Sequence, residues 1–122
     1  MTSEEFAQAI ADQGSGAAVR ITVGNLEQPP GRRPKPAFAR RSEWFRGLSH
    51  TDQQMVAEVI REAAENAVFG VLAILDGARV IENASEKGEL QLYYVKGDER
   101  VLLNDQRKAP LHDVYNGLCA QG

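Results

Sequence analysis

The run from Leu48 to Gly77, LSHTDQQMVAEVIREAAENAVFGVLAILDG, constrains the fold of this chain more than any other feature. Its first half carries apolar residues at helical spacing opposite a polar side, and beyond Asn66 the polar side disappears. A helix that is apolar all round must be covered by the rest of its domain. We therefore expect a half-exposed helix over Thr51 to Glu65 that continues as a buried core helix over Ala67 to Leu75.

Two points within this run stay open at the level of sequence. Ser49 or Thr51 supplies the helix cap, and the sequence does not decide between them. Residues 68–75 could also form a strand that turns at Asp76-Gly77. The unbroken i, i+4 spacing of apolar residues through this stretch favours the helix.

Shorter elements flank the long helix. A capping-box pattern predicts a short helix over about residues 3–13, and alternation predicts a strand over Val19 to Val23. Leu90 to Tyr94 and Val101 to Leu103 predict a hairpin, and a final short helix follows Pro110. Together they predict one α+β domain over residues 1–122, with a small antiparallel sheet packed against one long central helix and short N- and C-terminal helices.

Composition narrows the class of protein. A chain of 122 residues fits a single domain, and its one cysteine, Cys119, excludes an internal disulfide and fits a reducing compartment. The N-terminus MTSEEFAQAI lacks the basic and apolar regions of a secretory signal. The longest apolar run is far shorter than the roughly 20 residues of a membrane helix. We expect a soluble cytoplasmic protein that does not enter a membrane.

A Pro/Arg-rich segment over about residues 25–41 is the second informative feature. Its four prolines predict an extended, exposed chain, followed by one helical turn at Ser42 to Arg46 whose aromatic residues anchor the segment. Residues 31–46 hold six Lys or Arg against one Glu, a charge of +5, whereas the other residues carry −8. The sequence thus places a basic segment on an acidic body.

Three interpretations of the basic segment remain open. Its arginines could pair with the acidic body, the segment could dock on another protein, or it could bind nucleic acid by neutralising phosphates and stacking bases. An acidic body repels a polyanion, which makes nucleic acid the least favoured partner. The candidate contact residues are Arg32, Arg33, Arg40, Arg41 and Trp44.

The long helix also carries acidic residues at helical spacing. Glu58, Glu62 and Glu65 share or neighbour one face of the predicted helix. Such a row is commonly only a solvated face, but it could also bind a basic partner protein.

The one polar cluster with catalytic residue types lies near the C-terminus. On a helix, His112 and Tyr115 share a face, and Asp113 lies beside them. The plainer interpretation is a solvated His112 and an acid, Asp113, that suits the first helical turn. The sequence holds no metal-ligand spacing and no phosphate-binding loop in the right order, so we expect neither a metal nor a cofactor.

Several short segments carry a resemblance: Trp44-Phe45, Phe69-Gly70, Leu75-Asp76-Gly77, Leu102-Leu103-Asn104-Asp105 and Leu111 to Asn116. In these segments, over about residues 42–116, the chain resembles a group of small uncharacterised bacterial proteins. No function is attached to that group, so the resemblance implies no catalytic residue. In size, acidity and lack of an active-site motif the chain is also similar to immunity proteins that neutralise bacterial toxins.

These observations favour a non-catalytic protein–protein binding module, either a homodimer or an inhibitor of another bacterial protein. The alternative is an enzyme or small-ligand binder that uses His112, Asp113 and Tyr115, helped by Tyr93 or Tyr94. That alternative requires the side chains to converge in a pocket. The second alternative is a nucleic-acid-binding protein that uses the basic segment.

Overall fold

The computed structural model describes residues 1–120 and combines helices with one two-stranded antiparallel sheet, as the α+β prediction requires. The elements in chain order are α1 (Ser3–Ile10), a π-helical turn (Ala11–Ser15), α2 (Gly16–Glu27), α3 (Pro36–Arg46), α4 (His50–Leu75), β1 (Tyr93–Lys96), β2 (Glu99–Leu102) and α5 (Leu111–Cys119).

The predicted long helix is confirmed as α4. Ser49 is its cap, because its hydroxyl accepts the backbone N–H of Asp52 at 3.1 Å. The helix continues through residues 68–75, so the strand alternative is wrong there. Gly77 ends it with a positive φ of 76°, a conformation that favours glycine. Within residues 1–120, no helix is both long and apolar enough to cross a bilayer.

The helix predicted over about residues 3–13 does not end at a loop there, because helical structure continues through Gly14-Ser15-Gly16. Instead the backbone widens into a π-helical turn, and Gly16 donates its N–H to the carbonyl of Ala11. A Cβ on Gly16 would lie 2.6 Å from that carbonyl oxygen, so the turn needs glycine at this position. The glycines therefore allow a wider helical turn rather than a loop.

The strand predicted over Val19 to Val23 is also wrong, because this segment lies inside α2. Val19 and Leu26 are buried and Val23 is half-buried, at the spacing of one helix face. Ile21, the middle residue of the apparent alternation, is 62% exposed. Three alternating apolar residues fit both the two-residue period of a strand and the 3.6-residue period of a helix. Burial of Val19, Val23 and Leu26 on one face shows that the helix forms here.

The extended segment predicted over residues 25–41 is shorter in the structure. Only residues 28–35 lie outside helices, because α2 runs to Glu27 and α3 begins at Pro36. Proline suits the first helical position, where it loses no hydrogen bond. Of the two expected aromatic anchors, Phe45 is buried, whereas Trp44 is 56% exposed.

The hairpin is confirmed, but it does not pack on the face of α4. Strands β1 and β2 pair antiparallel through Tyr93 to Lys96 and Glu99 to Leu102, and they contact mainly each other. Gly97 has a φ of 59°, whereas Asp98 has no positive φ, which fits a type II′ turn. Each strand has only four residues, of which two are exposed and two are half-buried. The sheet is therefore too small to cover a face of α4.

A buried amide connects the hairpin to the helices instead. The side-chain amide of Asn104 donates to the carbonyl oxygens of Leu75 and Leu90 at 2.7 and 2.8 Å. Its oxygen accepts the N–H of Leu92 at 2.8 Å. One side chain thus satisfies three backbone groups that would otherwise lack partners.

The densest packing lies between α4 and α5. Leu72, Leu111 and Tyr115 form the buried cluster, each at most 2% exposed. The second half of α4 is not covered on every side, however. Ala67 is exposed and Val71 is 58% exposed, so the prediction of a fully buried segment over Ala67 to Leu75 is wrong on that side.

The chain leaves a large surface for its mass. Its accessible surface is 8743 Å², whereas a compact monomer of 13.4 kDa would expose about 6,500 Å². Large apolar side chains contribute to that surface on α2, α3, α4 and the hairpin. The surface available for contact with another molecule is therefore unusually large and partly apolar.

Truncating a core residue tests this distribution of packing. We expect Leu72→Ala to lower the free energy of unfolding by about 2–5 kcal/mol, because it leaves a cavity in the buried cluster. Ile21→Ala removes the same number of carbon atoms from an exposed helical position and should change it by less than about 0.5 kcal/mol. Urea denaturation measures both, and equal losses would contradict the assigned core.

Candidate functional site

Helix α3 carries the candidate contact residues that the sequence predicted. Its buried side, with Ser42 and Phe45, packs on α2. The opposite side carries Arg40 and Trp44, four residues apart, and Arg41 next to them. With Arg32 and Arg33 from the preceding loop, these three form what we call the basic surface, and all five side chains are exposed.

The basic surface is not paired with the acidic body. Salt bridges within residues 1–120 include none of the six cations of residues 31–46. Arg41 instead lies over the ring of Phe38, 5.6 Å from its centroid, and Arg46 donates weakly to the carbonyl of Ser42. The interpretation in which the arginines fold back onto carboxylates therefore has no support in the described contacts.

The three acidic residues of α4 do not form one exposed row. Glu58 and Glu62 are exposed, whereas Glu65 is half-buried and faces a cleft beside the π-helical turn. Arg61 lines the same cleft. Only Glu58 and Glu62 are thus free to meet a partner on the outer side of α4.

The C-terminal cluster does not converge on a common point. His112 places its Nδ1 atom 2.6 Å from Asp76 Oδ2, and the same oxygen accepts the backbone N–H of His112 at 2.9 Å. Since a carboxylate can only accept, Nδ1 carries the proton of this bond. Asp113 is mostly exposed and lies 3.4 Å from the other ring nitrogen, Nε2. Tyr115 points elsewhere, to Ser15.

Asp76 acts as the cap of α5 from a distance. The N-cap residue of α5 is Pro110, which has no side-chain acceptor. The carboxylate of Asp76 fills that role from the C-terminus of α4, where it meets the positive end of the α5 dipole. The ring of Phe69 packs edge-on against His112, at 5.5 Å between centroids. These contacts give His112 a structural task.

Tyr115 fastens α5 to the π-helical turn. Its hydroxyl donates to Ser15 Oγ at 2.6 Å, and Ser15 in turn donates to the carbonyl of Ala11 at 3.4 Å. Burial raises the pKa of Tyr115 to about 12. The phenol is therefore neutral at physiological pH, and it is poorly suited to act as a base.

Two surface clefts lie away from this cluster. The larger, of about 420 Å³, lies between the end of α4 and residues 79–90 and is lined by Ile74, Arg79, Val80 and Leu90 among others. The smaller, of about 370 Å³, lies beside the π-helical turn. None of the C-terminal candidates lines either cleft. Neither of these two clefts therefore brings His112, Asp113 and Tyr115 together.

Tyr93, one of the two predicted helpers, has a different partner. Tyr93 lies under the guanidinium of Arg100, 4.1 Å from its ring centroid. Asp12 and Cys119 line the smaller cleft, where Gln8 already donates to the Asp12 carboxylate at 3.1 Å. Among residues 1–120, no three His, Cys, Asp or Glu side chains are grouped so as to hold a metal ion.

The structural roles of two residues could not be predicted from the sequence. Asp76 has no local signal of its role as a cap, since its partner His112 is 36 positions away. Ser15 has no local signal of its bond either, since Tyr115 is 100 positions away. The exposure of Trp44 did have a local signal, because Phe38, Ser42 and Phe45 already define the opposite side of a helix that begins at Pro36.

Comparisons with protein families, with curated proteins and with solved structures found no match to this chain.

Removing the Asp76 carboxylate tests its role as a cap. We expect Asp76→Ala to lower the free energy of unfolding by about 1–2 kcal/mol, because two donors at the start of α5 lose their acceptor. Asp113→Ala removes an exposed acid from the same helical turn and should cost less than about 1 kcal/mol. Urea denaturation at neutral pH compares them, and a larger loss for Asp113→Ala would refute the assignment.

The titration of Tyr115 tests its burial. Its pKa of about 12 lies above the ordinary value of 10.0. The folded state therefore favours the neutral phenol, and this contribution to stability is complete below pH 10 and declines as the pH rises towards 12. Tyrosinate absorbance should show a step near pH 12 that Tyr115→Phe lacks and Tyr93→Phe retains. If Tyr115→Phe instead lost a step near pH 10, Tyr115 would be solvated and the assigned burial would be wrong.

Proposed function

We propose that this protein is a non-catalytic protein–protein binding module that docks an acidic partner on the basic surface of α3. The observation that carries the proposal is Trp44, 56% exposed among arginines that have no carboxylate partner in residues 1–120. A large aromatic side chain in water loses the hydrophobic stabilisation that a partner would restore.

The residue types of the basic surface support this proposal. Tryptophan and arginine are the residues most enriched among those that dominate binding energy in protein interfaces. Arg40 and Trp44 lie on adjacent turns of one helix, so their side chains can enter a partner together. Pro36 starts α3 and buried Phe45 anchors it, so the backbone that carries Arg40, Arg41 and Trp44 is formed before binding.

Charge selects the kind of partner. The cations of the basic surface attract an acidic protein surface and accelerate its association. A nucleic acid would meet the same cations, but it would extend beyond them towards a body that carries −8. Glu43 also lies in α3 between Arg40 and Arg46 in sequence. A compact acidic patch on a protein fits this surface better than a long polyanion.

The form of binding module that we favour is an inhibitor of another bacterial protein. A small domain can block an acidic site on such a protein by binding to it, without catalysing a reaction. A cytoplasmic location belongs to the same proposal, because a single cysteine fits a reducing compartment. The catalytic alternative gains no observation in its favour, because His112 and Tyr115 are engaged with Asp76 and Ser15.

Site-specific photocrosslinking in the native host tests the proposal. A photoreactive phenylalanine analogue replaces Trp44 in one variant and Val95 in another, since Val95 is comparably exposed on the hairpin. We expect a defined protein adduct from position 44 and not from position 95. Arg40→Glu with Arg41→Glu should reduce that adduct at least about tenfold, because like charges at an interface cost several kcal/mol.

The control reverses the same amount of charge elsewhere. Lys87→Glu with Lys96→Glu alters two exposed cations outside α3 and should leave the adduct unchanged. Adducts with nucleic acid alone would support the nucleic-acid alternative and overturn the proposal. Equal yields of protein adduct from positions 44 and 95 would also overturn it. So would an adduct yield that does not change in the variant with Arg40→Glu and Arg41→Glu.

A further inference from the structure

The smaller cleft lies where three helical parts of the chain meet. One wall is the π-helical turn with the adjoining turns of α1 and α2, the second is α4, and the third is the end of α5. Its volume of about 370 Å³ falls within the range of small-molecule sites, about 300–1,000 Å³. Short π-helical turns within longer helices occur frequently at functional sites. The cleft therefore has the size and the backbone setting of a site for a small molecule.

Two residues of opposite charge line the α4 wall of this cleft without pairing. Arg61 and Glu65 lie one helical turn apart, a spacing at which opposite charges can meet. Salt bridges within the described residues 1–120 include neither of them. An acidic residue four positions after a basic one is also the less favourable order on a helix. A cation and an anion therefore border the same cleft, each available to a ligand.

Glu65 is the more sheltered of the two charges. Its side chain is half-buried, whereas Arg61 is exposed. Burial is the main cause of the raised pKa of Tyr115, and the nearby charge of Glu65 adds to it. A carboxylate that is partly removed from water is less screened than one on the open surface. A cationic ligand group would therefore gain more from Glu65 than from an exposed acid.

A second carboxylate lies on the wall formed by the π-helical turn. Asp12 lines the cleft, and its Oδ1 atom accepts a hydrogen bond from the side-chain amide of Gln8 at 3.1 Å. A carboxylate has about four acceptor positions, so Asp12 can accept further donors. Two carboxylates and one guanidinium thus face the cleft. Their complement is a ligand that carries both an ammonium and a carboxylate group.

The remaining lining of the cleft is partly apolar. Ala11, Val19 and Leu118 line it from the π-helical turn, α2 and α5. Val19 is buried, and the other two are half-buried. An aliphatic group placed against them would leave water, which stabilises the complex in proportion to the apolar area covered.

We propose that the smaller cleft binds a free α-amino acid with an aliphatic side chain. Its ammonium group donates to the carboxylates of Glu65 and Asp12, and its carboxylate accepts hydrogen bonds from the guanidinium of Arg61. The two charged groups of an α-amino acid are attached to one carbon, so they can meet Arg61 and Glu65 on adjacent turns of α4. The aliphatic side chain packs on Val19 and Leu118.

Isothermal titration calorimetry of the full chain with L-leucine is the first test. Isocaproate lacks only the ammonium group of leucine, and isoamylamine lacks only its carboxylate. We expect leucine to bind at least about tenfold more tightly than either analogue, because each analogue loses charge-assisted hydrogen bonds. A Kd for leucine weaker than about 1 mM, or an analogue that binds as tightly as leucine, would overturn the proposal.

Variants that remove one charge locate the site. Glu65→Gln and Arg61→Gln should each weaken leucine binding at least about tenfold, because one charged group of the ligand loses its partner. Neither change breaks a salt bridge within residues 1–120, and circular dichroism verifies that each variant is folded. Glu62→Gln removes an exposed acid that does not line the cleft and should leave binding unchanged. Leucine binding that is unaffected by Glu65→Gln and Arg61→Gln would refute the assigned site.

The analogues also determine the orientation of the ligand. Glu65→Gln should reduce the preference for leucine over isocaproate, because the ammonium group loses an acceptor. Arg61→Gln should reduce the preference for leucine over isoamylamine, because the carboxylate loses its donor. The reverse pattern would overturn the assigned orientation.

The amino-acid site can be tested separately from the protein-binding surface. The smaller cleft contains no residue of α3. Leucine should therefore bind normally to the variant with Arg40→Glu and Arg41→Glu, which is expected to lose the protein adduct. Loss of leucine binding in that variant would contradict the location of the site, whatever the outcome of the photocrosslinking.

Discussion

The structure depends on the burial of Tyr115 between α5, α4 and the π-helical turn. The Tyr115 ring packs with Leu72 and Leu111, and its hydroxyl reaches Ser15, whose backbone belongs to the wide turn that joins α1 to α2. Burying a phenol requires a partner for its hydroxyl, and the widened turn supplies it. Asp76 completes the arrangement, because it fixes the start of α5 so that the ring reaches this position.

Local signals in the sequence predicted some elements and missed others for identifiable reasons. Helix α4 was predictable because its cap, its period and its glycine stop all lie within the run. Helix α2 was not, since Val19, Ile21 and Val23 fit a strand equally well and only tertiary packing selects the helix. The bond from Asp76 to His112 lay beyond prediction, because nothing local links residues 36 positions apart. The basic surface was predicted in composition, whereas the exposure of Trp44 was not.

Exposure decides which of the predicted sites can act on another molecule. His112 and Tyr115 have side chains of the types that act in catalysis. Both are hydrogen-bonded to residues with structural roles, His112 to Asp76 and Tyr115 to Ser15. Within residues 1–120, the arginines of α3 have no carboxylate partner, and Trp44 and several apolar side chains of α4 are exposed. Folding leaves these groups in water, although partners of the right chemistry would stabilise them. The described contacts therefore leave the exposed groups of α3 and α4, rather than His112 and Tyr115, available to another molecule.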